Sequence, residues 1–416
     1  MVIAVAVAAF VAFFGFLGWR WRRLARKTKV VQAERAVIVQ EQCTAARERV
    51  REFQAHFVTV QGDVFLGFDK LRPQERLRND LIIYDSVADV RDASTRGEVF
   101  IFFSHQWLGW AEPDPERIHV AAMQQAVQCV SRETNTPLEK IRVWVDYVSI
   151  PQRNRSEQKL AIASLPTFAS CCDFFIVVAP DAAHKNTGCL CGSKSYRSRA
   201  WSRAEIMSCW ARNGTSAMYY NSNDGLKPLL ASEDIVSKDI LHEALDVMHG
   251  EFTCCRLGHP DEGPCDREAL MLPLLGLYAD VYAQRNDQSR TDAYKFIEPI
   301  KDRLFPATFE YTHRSPDGVE TTMTQVLFGD LIAAVEESID GVDAEACRDF
   351  KPGTNAQRHR LHHAKHGHAS GSSFFTVSTT SRADEENLKA PGGGRLSLNR
   401  SATWRTSAPS VEMHGP

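Results

Sequence analysis

The sequence predicts an α/β protein: a parallel sheet with helices on both faces, preceded by one transmembrane helix and followed by a mostly helical extension. Three observations carry this reading. Across the middle of the chain, short continuous apolar runs alternate with helical patterns, as strands covered on both faces require. An uncharged apolar run of eighteen residues opens the sequence, and helical spacing dominates residues 226–345.

The opening run, Val2 to Trp19 (VIAVAVAAFVAFFGFLGW), has no charged or strongly polar side chain. As a helix it reaches about 27 Å, near the thickness of a bilayer's hydrocarbon core. Arg20 to Lys29 then carries six basic residues and no acid. A cleaved signal peptide has its positive charge first, a shorter apolar stretch and a small-residue cleavage site, so residues 1–19 read as an anchor. Because the basic flank follows the run, the positive-inside rule places the C-terminal body in the cytoplasm as a single-pass membrane protein. Trp19 and Trp21 suit an interfacial belt. The competing reading is a buried helix of a soluble protein, and use of the sequons at Asn154, Asn213 or Asn399 would reverse the topology.

Residues 20–57 form the basic flank and an amphipathic helix. Ala36, Val39, Cys43, Ala46, Val50, Phe53 and Phe57 recur at helical spacing. The stripe predicts packing on the chain's own domain, with a homo-oligomeric seam as the alternative.

Residues 58–225 hold the α/β pattern. Glu98–Ser104 (EVFIFFS), Ile141–Val148 (IRVWVDYV), Asp173–Ala179 (DFFIVVA) and Thr215–Tyr220 read as strands. Arg117–Arg132, Gln158–Phe168 (interrupted near Pro166) and Arg199–Arg212 read as helices. Ligands of such folds sit beyond the carboxyl ends of the strands. That singles out Ser104 to Trp107, Asp146 to Arg155, and the segment from Ala179 to Glu205.

In residues 226–345, Ser237–Met248, Arg267–Gln284 and Met323–Ile339 have helical spacing, and Phe309–Thr322 reads as a hairpin around Pro316-Asp317-Gly318. Residues 346–416 are predicted to be disordered, since few apolar side chains repay ordering. From Lys351 onward, nine Lys+Arg against four Asp+Glu give that tail a charge of +5, suited to an anionic membrane surface or to solvent.

The whole-chain balance limits function. With 49 Lys+Arg against 52 Asp+Glu, a net charge of −3 gives no positive field for nucleic acid. Eleven cysteines in 416 residues are too few for a disulfide scaffold and read as reduced thiols. No Gly-rich phosphate loop, GxSxG elbow or HExxH is present.

One constellation remains. Trp201 and Glu205, four apart in RAWSRAE, face the same way on a helix at the ligand-binding rim. The carboxylate can hold ribose hydroxyls while the indole stacks on a base or sugar, and a glycosidic bond broken there would be stabilised by that carboxylate. The spacing equally fits a core tryptophan beside a glutamate paired with Arg199 or Arg203.

Four blocks in order resemble the TIR-like superfamily and, within it, the fungal heterokaryon-incompatibility (HET) domain: VFIFFSHQW, IRVWVDYVSIPQRN, CDFFIVVAP and YRSRAWSRAE. The resemblance covers Val99 to Tyr220. It implies a flavodoxin-like sheet and a role in signalling or innate-immune defence. For the catalytic TIR branch it also implies cleavage of NAD+ to release nicotinamide, with NAD+ as substrate and no cofactor required. Glu205 would be the catalytic residue, with Trp201, Ser104, His105 and Trp107 around the nicotinamide ribose. Arg153 and Arg155, in the following loop, would meet phosphates or assembly partners. His105 stands where the family has an aromatic residue, and the SIPQRNRS loop lacks its Pro-Gly tip. The family also contains adaptors without turnover, so a non-catalytic assembly module is the alternative function.

No metal site is assigned. Cys254, Cys255, His259 and Cys265 are candidate zinc ligands, with Cys189 and Cys191 as additions, although their spacing is not a pair of CxxC knuckles. The tail histidines (His359, His362, His363, His366, His368) suit adventitious metal binding or solvent. Asp146 is placed like a receiver phosphoacceptor, but Ser104-His105 stands where such domains have a magnesium-binding acidic pair.

Overall fold

The computed structural model describes residues 2–229, 238–256, 265–287, 291–314 and 318–341. Residues 346–416, with their expected disorder, tail histidines and Asn399, lie outside the described residues, as does His259.

A single helix, α1, runs from Val2 to Arg49. It joins the expected anchor, the basic flank and the amphipathic stripe without a break, and ends before Phe53 and Phe57. Among the described residues no helix is long and apolar enough to cross a membrane. The side chains of residues 2–15, most of the expected anchor, lie outside the described residues, while Trp19 and Trp21 are exposed.

The chain continues through β1 (Phe57–Gln61), α2 (Gly62–Leu66), β2 (Leu81–Tyr84), α3 (Val87–Thr95), β3 (Val99–His105), α4 (Ile118–Thr134), β4 (Ile141–Val145), α5 (Asp146–Ser149) and α6 (Arg155–Cys171). Then come β5 (Phe174–Val178), the two-residue strands β6 (Ala182–Ala183) and β7 (Leu190–Cys191), α7 (Ser193–Ser198), α8 (Ala200–Asn213), β8 (Met218–Ser222) and β9 (Gly225–Pro228). Local signals set several starts. Ser86 caps α3 by accepting from Asp89 N, while the Asp89 carboxylate accepts from Ser86 N. Asn154 caps α6 by accepting from Ser156 N and Glu157 N.

Seven strands make one mixed sheet in the order β2-β1-β4-β3-β5-β8-β9. The central β4, β3, β5 and β8 are parallel, as the alternating pattern predicts, while β1, next to β4, and the edge strand β9 run antiparallel to them. In chain order the parallel strands stand second-first-third-fourth, so the winding reverses between β3 and β5. Accordingly, α4 covers one face, with Met123, Val127 and Val130 against Ile101, Phe103 and Val143. The other face is covered by α6 and α8, with Leu165, Phe168 and Met207 against Phe102, Trp144 and Phe175. Phe102 is stacked between Trp144 and Phe175 at 4.1 and 5.3 Å.

Several expected boundaries shift. The strand expected to reach Val148 ends at Val145, because Asp146 to Ser149 turn into a short helix closed by Ile150 N donating to Asp146 O. Pro166 does not interrupt α6, which runs on to Cys171. Met323 to Val326 are strand rather than helix.

The extension contains α9 (Lys238–Leu245), α10 (Thr253–Arg256), α11 (Asp266–Ala283), α12 (Thr291–Ile297), α13 (Lys301–Leu304), the hairpin β10 (Thr308–Arg314) and β11 (Glu320–Val326), and α14 (Leu331–Asp340). It is mostly helical, as expected. α11 lies between α8 and the end of α1, and Cys43, Ala46 and Val50 are buried there, so the later part of the amphipathic stripe packs on its own chain, while Ala36 at its start is exposed. Arg212 on α8 ties this layer together: it donates to Val50 O and Ser170 Oγ and pairs with Asp280 on α11 at 2.8 Å. The core therefore crosses the boundaries expected at residues 58 and 225.

Candidate functional site

The reversal between β3 and β5 leaves a crevice position at their carboxyl ends, where open α/β sheets take ligands. Strand alternation delivers two residues there. Even-numbered residues of β3 face α6 and α8, and odd-numbered ones face α4. Ser104 and His105 continue that alternation and head two separate polar arms.

On the α8 side, Ser104 Oγ donates to Glu205 Oε2 and lies 2.5 Å from the Tyr196 hydroxyl. Tyr196 is on α7, and Glu205 comes from α8, a helix buried on nearly all sides between the sheet and α11. Ser104, Tyr196 and Glu205 are 1%, 1% and 6% exposed. Burial pushes the Glu205 carboxyl up to about 8; the Ser104 hydrogen bond and Arg199 oppose the rise and the Asp146 charge adds to it. Burial and the nearby Glu205 raise the Tyr196 hydroxyl well above its ordinary value. Arg199, at the junction of α7 and α8, is also lowered by burial while Glu205 and Asp146 hold its charge.

On the α4 side, Asp146 accepts from His105 Nε2 at 2.8 Å, Trp107 Nε1 at 2.7 Å and Tyr147 N at 2.6 Å. Burial alone would raise Asp146, but the His105 charge and these three donors hold it below the ordinary carboxylate range. An ionised Asp146 keeps a proton on His105 Nε2, and His105 Nδ1 lies within hydrogen-bond distance of His119 Nδ1, at 3.2 Å. Burial holds His119 neutral, and its Nε2 has no partner among the described residues.

The expected residues thus separate into groups. Ser104 and Glu205 meet directly, and His105 and Trp107 meet on Asp146. Trp201 donates its indole N–H to Asp266 at 3.3 Å, at the start of α11. Arg153 is exposed, and its backbone N–H donates to Glu75 at 2.7 Å. Arg203 is held by Arg197 O and Asp246 O, so Arg199 is the cation that faces Glu205. Sequence reasoning gave no role to Tyr196, although it opens the YRSRAWSRAE block, nor to His119, whose helix carried only an apolar signal. Cys254, Cys255 and Cys265 come together elsewhere, in the extension. A cleft of about 440 Å³ among the described residues lies at the opposite end of β3, beside Tyr84, Glu98 and Arg142.

No protein-family profile, curated protein or solved structure matches the chain. The functional reading therefore rests on the parallel-strand order and on the groups gathered where that order reverses.

Proposed function

We propose that this chain is a TIR/HET-like signalling or defence protein that cleaves the N-glycosidic bond of NAD+. The observation that carries the proposal is Glu205: a buried carboxyl with a raised pKa, bonded to Ser104 at the sheet's reversal point, with Arg199 facing it. In the reaction the C1′–N bond breaks and nicotinamide leaves as a neutral base, so no general acid is needed. The ribose becomes oxocarbenium-like, and an ionised Glu205 stabilises that charge and orients the ribose hydroxyls. Water adds at C1′, loses a proton to solvent and gives ADP-ribose. The cationic substrate itself favours ionisation of Glu205, and no cofactor takes part. A flavodoxin-like sheet, a single-pass anchor through residues 2–19 with a cytoplasmic body, and clustering into homo-oligomers complete the proposal. The exposed tryptophans and basic residues that follow the apolar run support the anchor.

The test is nicotinamide release from NAD+ by the full chain clustered on liposomes. Glu205→Gln should lower the rate on the order of 10²-fold or more while the fold is retained. The rate should rise with pH through the Glu205 value of about 8, because the carboxylate is the active form. Wild-type inactivity under these conditions sinks the enzyme reading.

The second reading, a non-catalytic assembly module, is favoured by one observation. Glu205 is only 6% exposed and bonded to Ser104, so it can serve as an internal fastener. In that case Glu205→Gln leaves assembly intact, and no nicotinamide appears with either protein.

A further inference from the structure

We propose that Cys254, Cys255 and Cys265 bind a structural zinc ion that fastens the extension to the start of the helix carrying Glu205. The three sulfurs form a nearly equilateral triangle, with separations of 4.0, 3.9 and 3.5 Å. Thiolates bound to zinc at about 2.3 Å in a tetrahedron lie about 3.8 Å apart, so the triangle already has the size of one tetrahedral face. A disulfide would need two sulfurs at about 2.05 Å and would leave the third without a role.

The surroundings suit anionic sulfur. Arg267 Nη1 donates to Cys255 Sγ at 2.7 Å and to Cys265 Sγ at 3.6 Å. Arg267 is 5% exposed, and its guanidinium lies over the rings of Phe252 and Phe309 at 4.4 and 3.7 Å. Cys265 is the residue before α11, so the positive end of an eighteen-residue helix faces the cluster. Three thiolates with a divalent ion carry one net negative charge, which Arg267 balances. Zinc replaces the protons, which leave to solvent as it binds.

Both flanks of the cluster are tied to the α7–α8 junction. Asp266 accepts from Trp201, and Glu251 pairs with the backbone of Ser198 and Ala200 at 2.7 and 3.1 Å. Zinc would also close the ten-residue span from Cys255 to Cys265, and so hold the first turn of α8 against the extension.

The test measures zinc in the full chain purified in detergent without added metal. The expected content is roughly one zinc per chain. After stripping with a chelator, cobalt titration should give a thiolate-to-cobalt charge-transfer band with intense tetrahedral ligand-field bands. Cys255→Ser with Cys265→Ser should lower zinc at least tenfold, whereas Cys129→Ser should leave it unchanged. If the double variant does not fold, the cobalt spectrum of the wild-type chain decides. Zinc retained by a folded double variant, or a wild-type chain without the cobalt–thiolate band, overturns the proposal. So does a wild-type mass lighter by two hydrogens that marks a disulfide within the cluster.

Discussion

Glu205 makes a pH prediction separate from catalysis. Its carboxyl is raised from an ordinary 4.5 to about 8 in the folded chain. Its contribution to stability is therefore complete below 4.5 and is lost as pH rises to 8. Over that window stability should fall steadily with pH, by on the order of a few kcal/mol in total from this group alone. Asp146, lowered instead, contributes above its ordinary 3.8 and is lost only as pH falls through its depressed value. In urea titrations at pH values from about 3 to 9, Glu205→Gln should flatten the fall between 4.5 and 8 and leave the change below 3.8 as it is. An identical slope in the variant would show that the carboxyl is not held neutral by burial. At this scale the sequence was half legible. The four-residue spacing placed Trp201 and Glu205 on one helix, but α8 is covered on nearly every side, so spacing could not say what each would meet. The indole met Asp266 and the carboxyl met Ser104, contacts made by residues 65 and 101 positions away.

Among the elements, the crossing of α1 and α11 depends on a missing side chain. A Cβ at Gly276 would lie 2.2 Å from Ala46 O and 2.9 Å from Val50 Cγ1. Backbone cannot yield there as a side chain can, so Gly276→Ala should cost on the order of 3 kcal/mol, read as a lowered urea midpoint. Gly188, with nothing near its Cβ position but a φ of +70°, is a control for backbone strain alone. Continuous apolar runs revealed β3, β4 and β5 because both faces of those strands are buried. They missed β1 and β2, five and four residues long at one side of the sheet, where neither length nor pattern separates a strand from a loop. Gly276 itself carried no signal, since its partner is more than two hundred residues away in sequence.

For the whole molecule, the division into an α/β domain and an extension describes the chain order and not the core. Met207 and Trp210 of α8, Leu274 and Tyr278 of α11, and Val335 of α14 belong to one apolar cluster with Phe102 and Phe175 of the sheet. Removing the residues after 225 would expose this face of α8 to water. A truncated chain ending there should lose its cooperative unfolding transition and bind a hydrophobic dye, whereas the full chain should unfold in one step. Independent folding of the truncated chain would show that the sheet and its own helices suffice. Hydrophobic periodicity marks which residues are covered but not by what, and for that reason the unity of this core was not legible in the sequence.

The unbroken α1 gives this arrangement mechanical reach. Its forty-eight residues span about 72 Å. At its base, Val50 O takes a hydrogen bond from Arg212, near the end of the helix that bears Glu205. With its base clamped by α11 and Arg212, the helix acts as a lever: a tilt of about 5° at the clamp sweeps the far end through roughly 6 Å. Run in reverse, crowding or reorientation of the N-terminal ends applies torque at the clamp and, through Arg212, strains α8 along its own axis.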